Sequence, residues 1–142
     1  MSILTEPFDA EATSRAGLSD RYMQVVVERA RTLDRDRLTT EGGVSPASLE
    51  GVEAGDVEAV TVADAVRILA VADGTDPDAA IAALRDHLLL AMSGAMMDVE
   101  ALASAADLDL EPGAVQAKVE GRLPMSLAEY ARLRHAIARH GG

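Results

Sequence analysis

One spacing of apolar, capping and glycine residues occurs twice in this chain, and it constrains the fold more than any single residue does. Leu38 pairs with Leu102 and Val44 with Leu108 at an offset of 64; Leu49 pairs with Val115 and Gly55 with Gly121 at 66. Val62 pairs with Leu127 and Ile68 with Leu133 at 65. Each copy reads as short helices broken by turns, so the expectation is two tandem helix-turn-helix-like repeats of about four helices each. The boundaries are a loose N-terminal arm over 1–17, a first repeat over 18–75 and a second over 76–142.

A chain of 142 residues makes one domain or two small ones, and a unit of half that length has a thin core. The two copies are therefore expected to share a core. Phe8, Tyr22 and Tyr130 are the only aromatics, so Leu, Val, Ile, Ala and Met must build it. With no cysteine there is no disulfide, thiol nucleophile or cysteine metal site. No basic region followed by an apolar stretch opens the chain, and the longest apolar stretch, Asp86 to Met97, is too short for a bilayer of roughly 30 Å. The expectation is a cytoplasmic protein without a membrane partner.

The net charge is −11, and twelve of the 13 bases are arginine, with Lys118 the only lysine. Acid-rich, lysine-poor, Ala/Val-rich composition suits an extreme halophile, whose surface must remain solvated where salt screens charge beyond about 3 Å. An ordinary acidic protein from a high-GC genome is the alternative. Either way, the acidity can report the solvent rather than a partner.

Along the chain, Ser19 or Asp20 is placed to cap a first helix bearing Tyr22, Val25, Val26, Ala30 and Leu33. Asp34 is placed to cap a short second helix, broken by Gly42-Gly43. Ser45-Pro46 is a strong helix start, and Gly55 a stop. Thr61, with Asp64 three residues on, forms a weak capping box for a helix to Ala72. After Gly74-Thr-Asp-Pro-Asp78 comes a helix from Asp78 to Met97, apolar almost all round and so expected to be central and buried, in the protomer or an oligomer. Asp98 caps the next helix, Asp107-Leu108-Asp109 turns, Pro112 to Gly121 brackets another, and Ser126 with Glu129 caps the last. Val57 to Val62 is the one strand-like segment, and it fits a loop entering a cap better. The fold class is all-α.

The segment Leu102-Ala103, Ala106-Asp107-Leu108, Val115, Val119-Glu120-Gly121 and Ser126-Leu127 resembles the Cro/lambda-repressor-type helix-turn-helix family over residues 98–140. Residues 34–73 match more loosely, and the whole chain is similar to small acidic haloarchaeal proteins of unassigned function. The resemblance implies DNA association or a role in transcription, with the third helix of each copy as the reading element. Those family positions are mostly packing residues, so they speak for fold more than for activity.

Groove readout needs Arg, Lys, Asn or Gln on that third helix. The first copy offers Ser48, Glu50 and Glu53 there, with no base; the second offers Gln116 and Lys118. Residues 98–142 carry five bases against seven acids, and residues 1–75 carry seven against fourteen. If nucleic acid is bound, the contacts fall to Gln116, Lys118, Arg122, Arg132 and Arg134. Against this stands pairing of those bases with neighbouring acids, as in Glu129 with Arg132. Leu88, Leu89, Met92 and Met96 are the candidate oligomer face, which allows a homodimer.

His87, His135 and His140 have no metal spacing, Asp107 with Asp109 lacks a calcium loop, and the serines lack His–Asp partners. No enzyme, cofactor, metal site or small-molecule substrate is expected. Two functions remain. One is a DNA-associated protein, marked by a basic surface stripe through Lys118, Arg122 and the last helix. The other is a protein-interaction module, marked by acidic third helices and an exposed Leu/Met patch.

Overall fold

The computed structural model describes the backbone of residues 15–141 and the side chains of residues 17–140. Eight helices follow one another: α1 Arg15–Ala30, α2 Arg35–Thr40, α3 Pro46–Ala54, α4 Val62–Asp73, α5 Pro77–Gly94, α6 Val99–Ala105, α7 Pro112–Val119 and α8 Leu127–Gly141. The fold is all-α. Of the expected N-terminal arm, residues 1–14 lie outside the described residues, and Arg15 to Gly17 already belong to α1 rather than to a loose segment.

Local capping chemistry sets most of the boundaries. Ser45 Oγ accepts the Ser48 amide at 3.2 Å, Thr61 Oγ1 the Asp64 amide at 3.1 Å, and Asp98 Oδ1 the Ala101 amide at 2.8 Å. Ser126 and Glu129 form a reciprocal box: Ser126 Oγ accepts the Glu129 amide at 3.0 Å, and Glu129 Oε1 accepts the Ser126 amide at 2.9 Å. Asp34 sits at the start of α2 but makes no side-chain capping bond. Asp76 caps α5, with Pro77 in the first turn, so that helix begins just before the expected Asp78. It ends at Gly94 rather than Met97, because Met96 takes a left-handed φ of 57°.

Asp64 departs from the capping-box expectation. Its carboxylate does not turn back to Thr61. Instead Oδ2 accepts the Ser45 hydroxyl at 2.9 Å and the Ser45 amide at 3.3 Å, and Oδ1 accepts Arg67 at 2.7 Å. A buried carboxylate thereby ties the start of α3 to the start of α4. Gly51, midway along α3, lets this junction close: a Cβ there would stand 2.9 Å from Ala59 Cβ and from Val60 Cγ2. The helix tolerates a residue that costs about 1 kcal/mol because the chain passes close beside it.

Among the described residues the only strand-like pairing is one isolated antiparallel bridge, Thr61 with Ser126. Val62 donates its amide to the Met125 carbonyl and Leu127 donates to the Val60 carbonyl, both at 2.8 Å. A shift of 65 residues turns either bond into the other. The helices follow the same exchange: α1 packs most heavily on α8, and α5 on α4. The opening helix of each half thus lies on the closing helix of the other.

One hydrophobic cluster runs through both halves, from Leu18 to Ile137. Its centre is α4, where Ala65, Val66, Ile68, Leu69 and Ala70 have no exposed surface, and not the expected helix 78–97. On α5 only Ala80, Ile81, Leu84, Leu88 and Met92 are buried. Among the described residues no element covers its opposite face, leaving Leu89 44% and Leu90 70% exposed, with Met96 90% exposed beyond the helix end. No single helix among the described residues is long and apolar enough to cross a membrane.

Candidate functional site

The third helices come first, since the family resemblance would place a reading face there. On α3 the exposed side chains are Pro46, Ala47, Glu50, Glu53 and Ala54. Glu53 meets Arg35 of α2 at 2.7 Å. On α7 Gln116 is exposed, and Glu111 and Glu120 flank the helix. Exposed carboxylates therefore lie on α3 itself and at the two ends of α7, which carries no acid of its own.

The five candidate nucleic-acid residues do not form a stripe. Glu120 takes two of them: its carboxylate accepts Gln116 Nε2 at 3.3 Å and Arg122 Nε and Nη2 at 2.9 and 2.6 Å. These bonds, chiefly the one from Arg122, hold the Glu120 carboxyl below its ordinary range. Lys118 donates to Glu129 Oε1 at 2.9 Å and to the Pro124 carbonyl at 3.0 Å. The α7 lysine thereby clamps the turn into α8, and Glu129 pairs with it rather than with Arg132 as expected. Arg132 is half-buried on α8.

Arg134 is withdrawn from solvent altogether, at 6% exposure. Its charge acts on Tyr22, Tyr130 and His87, so the guanidinium sits between α1, α5 and α8. The two tyrosine rings pack with centroids 5.8 Å apart. Burial pushes the Tyr22 hydroxyl up to about 12, with Arg134 pulling the other way, and burial likewise raises Tyr130. His87 is lowered, first by burial and then by the Arg134 charge. Nε and Nη1 of Arg134 make no conventional hydrogen bond, but the guanidinium lies near enough to the Tyr22 hydroxyl for both its charge and its donors to oppose the effect of burial there. A cation expected to meet phosphate is instead part of the packing between the halves.

The candidate oligomer residues divide in the same way. Leu88 and Met92 belong to the core, while Leu89 and Met96 face out, as does Leu90. An apolar patch thus marks the C-terminal end of α5.

A cleft of about 460 Å³ opens between the start of α4, the middle of α5 and the α7–α8 turn. Lys118 and Arg122 line it, together with Arg67 and Arg85. Sequence reading did not find those last two, because four distant segments make the cleft and no local pattern joins them.

The chain belongs to a protein family of unknown function, DUF5791, whose model matches residues 18–140. No curated protein and no solved structure matches it.

Proposed function

We propose that this chain is a non-enzymatic interaction module, built from two helix-turn-helix-like units, that binds a protein partner rather than DNA. One observation carries the reading: Lys118 and Arg122 are held by the chain's own acids and Arg134 is buried, while acids on α3 and at the two ends of α7 face outward. Phosphate contacts supply nearly all non-specific DNA affinity, and they need free cations facing the backbone. The exposed Leu89, Leu90 and Met96 supply what a protein interface uses at its centre, apolar anchors without charge. The acids of α3 and those flanking α7 would favour a partner whose surface is basic around an apolar seat. The runner-up, a DNA-associated protein acting through the second unit, rests on the family resemblance and on the smaller acid excess of residues 98–142.

Fluorescence anisotropy of a random-sequence duplex, from low to molar KCl, separates the two readings. The expected result is no saturable binding by wild type or by Arg122→Glu at any salt where the protein is folded. Salt-dependent binding by wild type that Arg122→Glu abolishes would make the second unit a DNA reader. A protein partner, once identified, should be lost with Leu90→Glu/Met96→Glu and kept with Arg122→Glu; the reverse pattern contradicts the proposal.

A further inference from the structure

We infer that the cleft between α4, α5 and the α7–α8 turn binds a small amphiphilic anion, a carboxylate head on an apolar body. Its volume of about 460 Å³ is that of a small-molecule site. Val62, Ile81, Leu84, Leu88, Val119 and Met125 give it an apolar floor. Arg67, Arg85, Lys118 and Arg122 stand around that floor, against Asp64 as the one acid lining it. In a chain with 24 acids and 13 bases, this is a local reversal of sign.

Three of those cations already hold a carboxylate: Arg67 that of Asp64, Lys118 that of Glu129 and Arg122 that of Glu120. Arg85 is different. Its guanidinium lies against the backbone of Gly121, where an added Cβ would stand 2.3 Å from Cζ. Gly55 takes the matching place after α3 with the same left-handed φ, and a Cβ there would meet nothing within 4 Å. Both glycines end their helices, but only Gly121 also seats an arginine. The seat at the carbonyl end of α7 favours the positive charge. It also fixes a planar group of five donors beside the cleft, the geometry that takes a carboxylate in two parallel bonds. The charge left over at the site is therefore positive, and the surface behind it is apolar. Neither a cationic amphiphile nor a small hydrophilic anion satisfies both.

The test is an amide NMR titration of the full chain with decanoate below micelle formation, beside decyltrimethylammonium, butyrate and the peptide Ala-Leu-Leu-Leu with a free carboxylate. Decanoate or the peptide should saturate, with shifts at Arg67, Leu84, Arg85 and Leu123; the tighter of the two identifies an acyl or a peptide source. Decyltrimethylammonium should not saturate, and butyrate should be far weaker. Arg85→Gln should weaken binding about tenfold or more, the usual worth of a charge-assisted hydrogen bond. Leu123→Ser should weaken it independently, and both residues are exposed enough to leave the fold intact. The inference is overturned if neither carboxylate saturates, if decyltrimethylammonium binds as well, or if Arg85→Gln binds like wild type. It stands or falls separately from the protein-interaction reading.

Discussion

Replacing Asp64 with alanine should cost about 3 kcal/mol of folding stability, a large share of what a small domain has. The carboxylate is 3% exposed and serves two elements at once, accepting from Ser45 at the start of α3 and from Arg67 one turn along α4. Its removal strands the Ser45 amide and hydroxyl in a partly buried place and leaves Arg67 without its acid. Stranded groups of this kind cost more than the bonds themselves contribute. Burial alone would raise the Asp64 pKa, but hydrogen bonds from Ser48, Arg67 and Ser45 outweigh it and hold the carboxyl below its ordinary range. A depressed folded pKa contributes stability that is present above the unfolded value and lost as pH falls through the folded one. The difference between wild type and Asp64→Ala should therefore be full at neutral pH and shrink only in strong acid. Urea unfolding at several pH values checks both parts. A loss below about 1 kcal/mol, the worth of a typical single hydrogen bond, would show that the carboxylate is not the tie described.

Arg134→Met should act in the other direction and raise stability by about 1–2 kcal/mol. A buried guanidinium whose Nε and Nη1 make no conventional hydrogen bond carries a desolvation cost that its interaction with the Tyr22 hydroxyl offsets only in part. Methionine keeps most of the stem volume, and its flexible thioether adapts to the packing beside Tyr22 and Tyr130. Arg134→Ala should instead lose about 2 kcal/mol, because it opens a cavity in the packing of α1 on α8. The Met variant should also let the His87 imidazole titrate higher, since the Arg134 charge is one of the two causes holding it down. Denaturant midpoints at constant slope, with imidazole NMR for His87, read both effects. A clear destabilisation by methionine would show that the guanidinium supports the fold.

These two arginines and one carboxylate show where sequence reading stops. The starts of α3, α4, α6 and α8 and the stops at Gly55 and Gly121 were legible, because a cap lies within three residues of what it caps. The all-α class followed from the same local signals. The open face of α5 was not legible: residues 78–97 are apolar almost all round, and only the position of α4 and α8 decides which side is covered. Lys118 illustrates the same limit, since its partner Glu129 lies on the next helix and its other partner is a backbone carbonyl. Arg134 stands four residues after Tyr130 and three before Ile137, on the buried face of α8, so its register rather than its charge decides its place, and α1 of the other half packs over it. The cleft at Arg85 draws on residues 43 to 130, and no window of sequence contains it.

The interlocking of the halves underlies the burial of Arg134 and the cleft at Arg85. The bridge between Thr61 and Ser126, the crossing of α1 onto α8 and α5 onto α4, and one cluster from Leu18 to Ile137 make the two units a single body. Amide hydrogen exchange across a denaturant series tests this most directly. The slowest amides of α4 and α8 should open with the same free energy and the same denaturant dependence, as one global unfolding event. If α5–α8 opens at lower denaturant while α4 remains closed, the halves are separate units and the account is wrong.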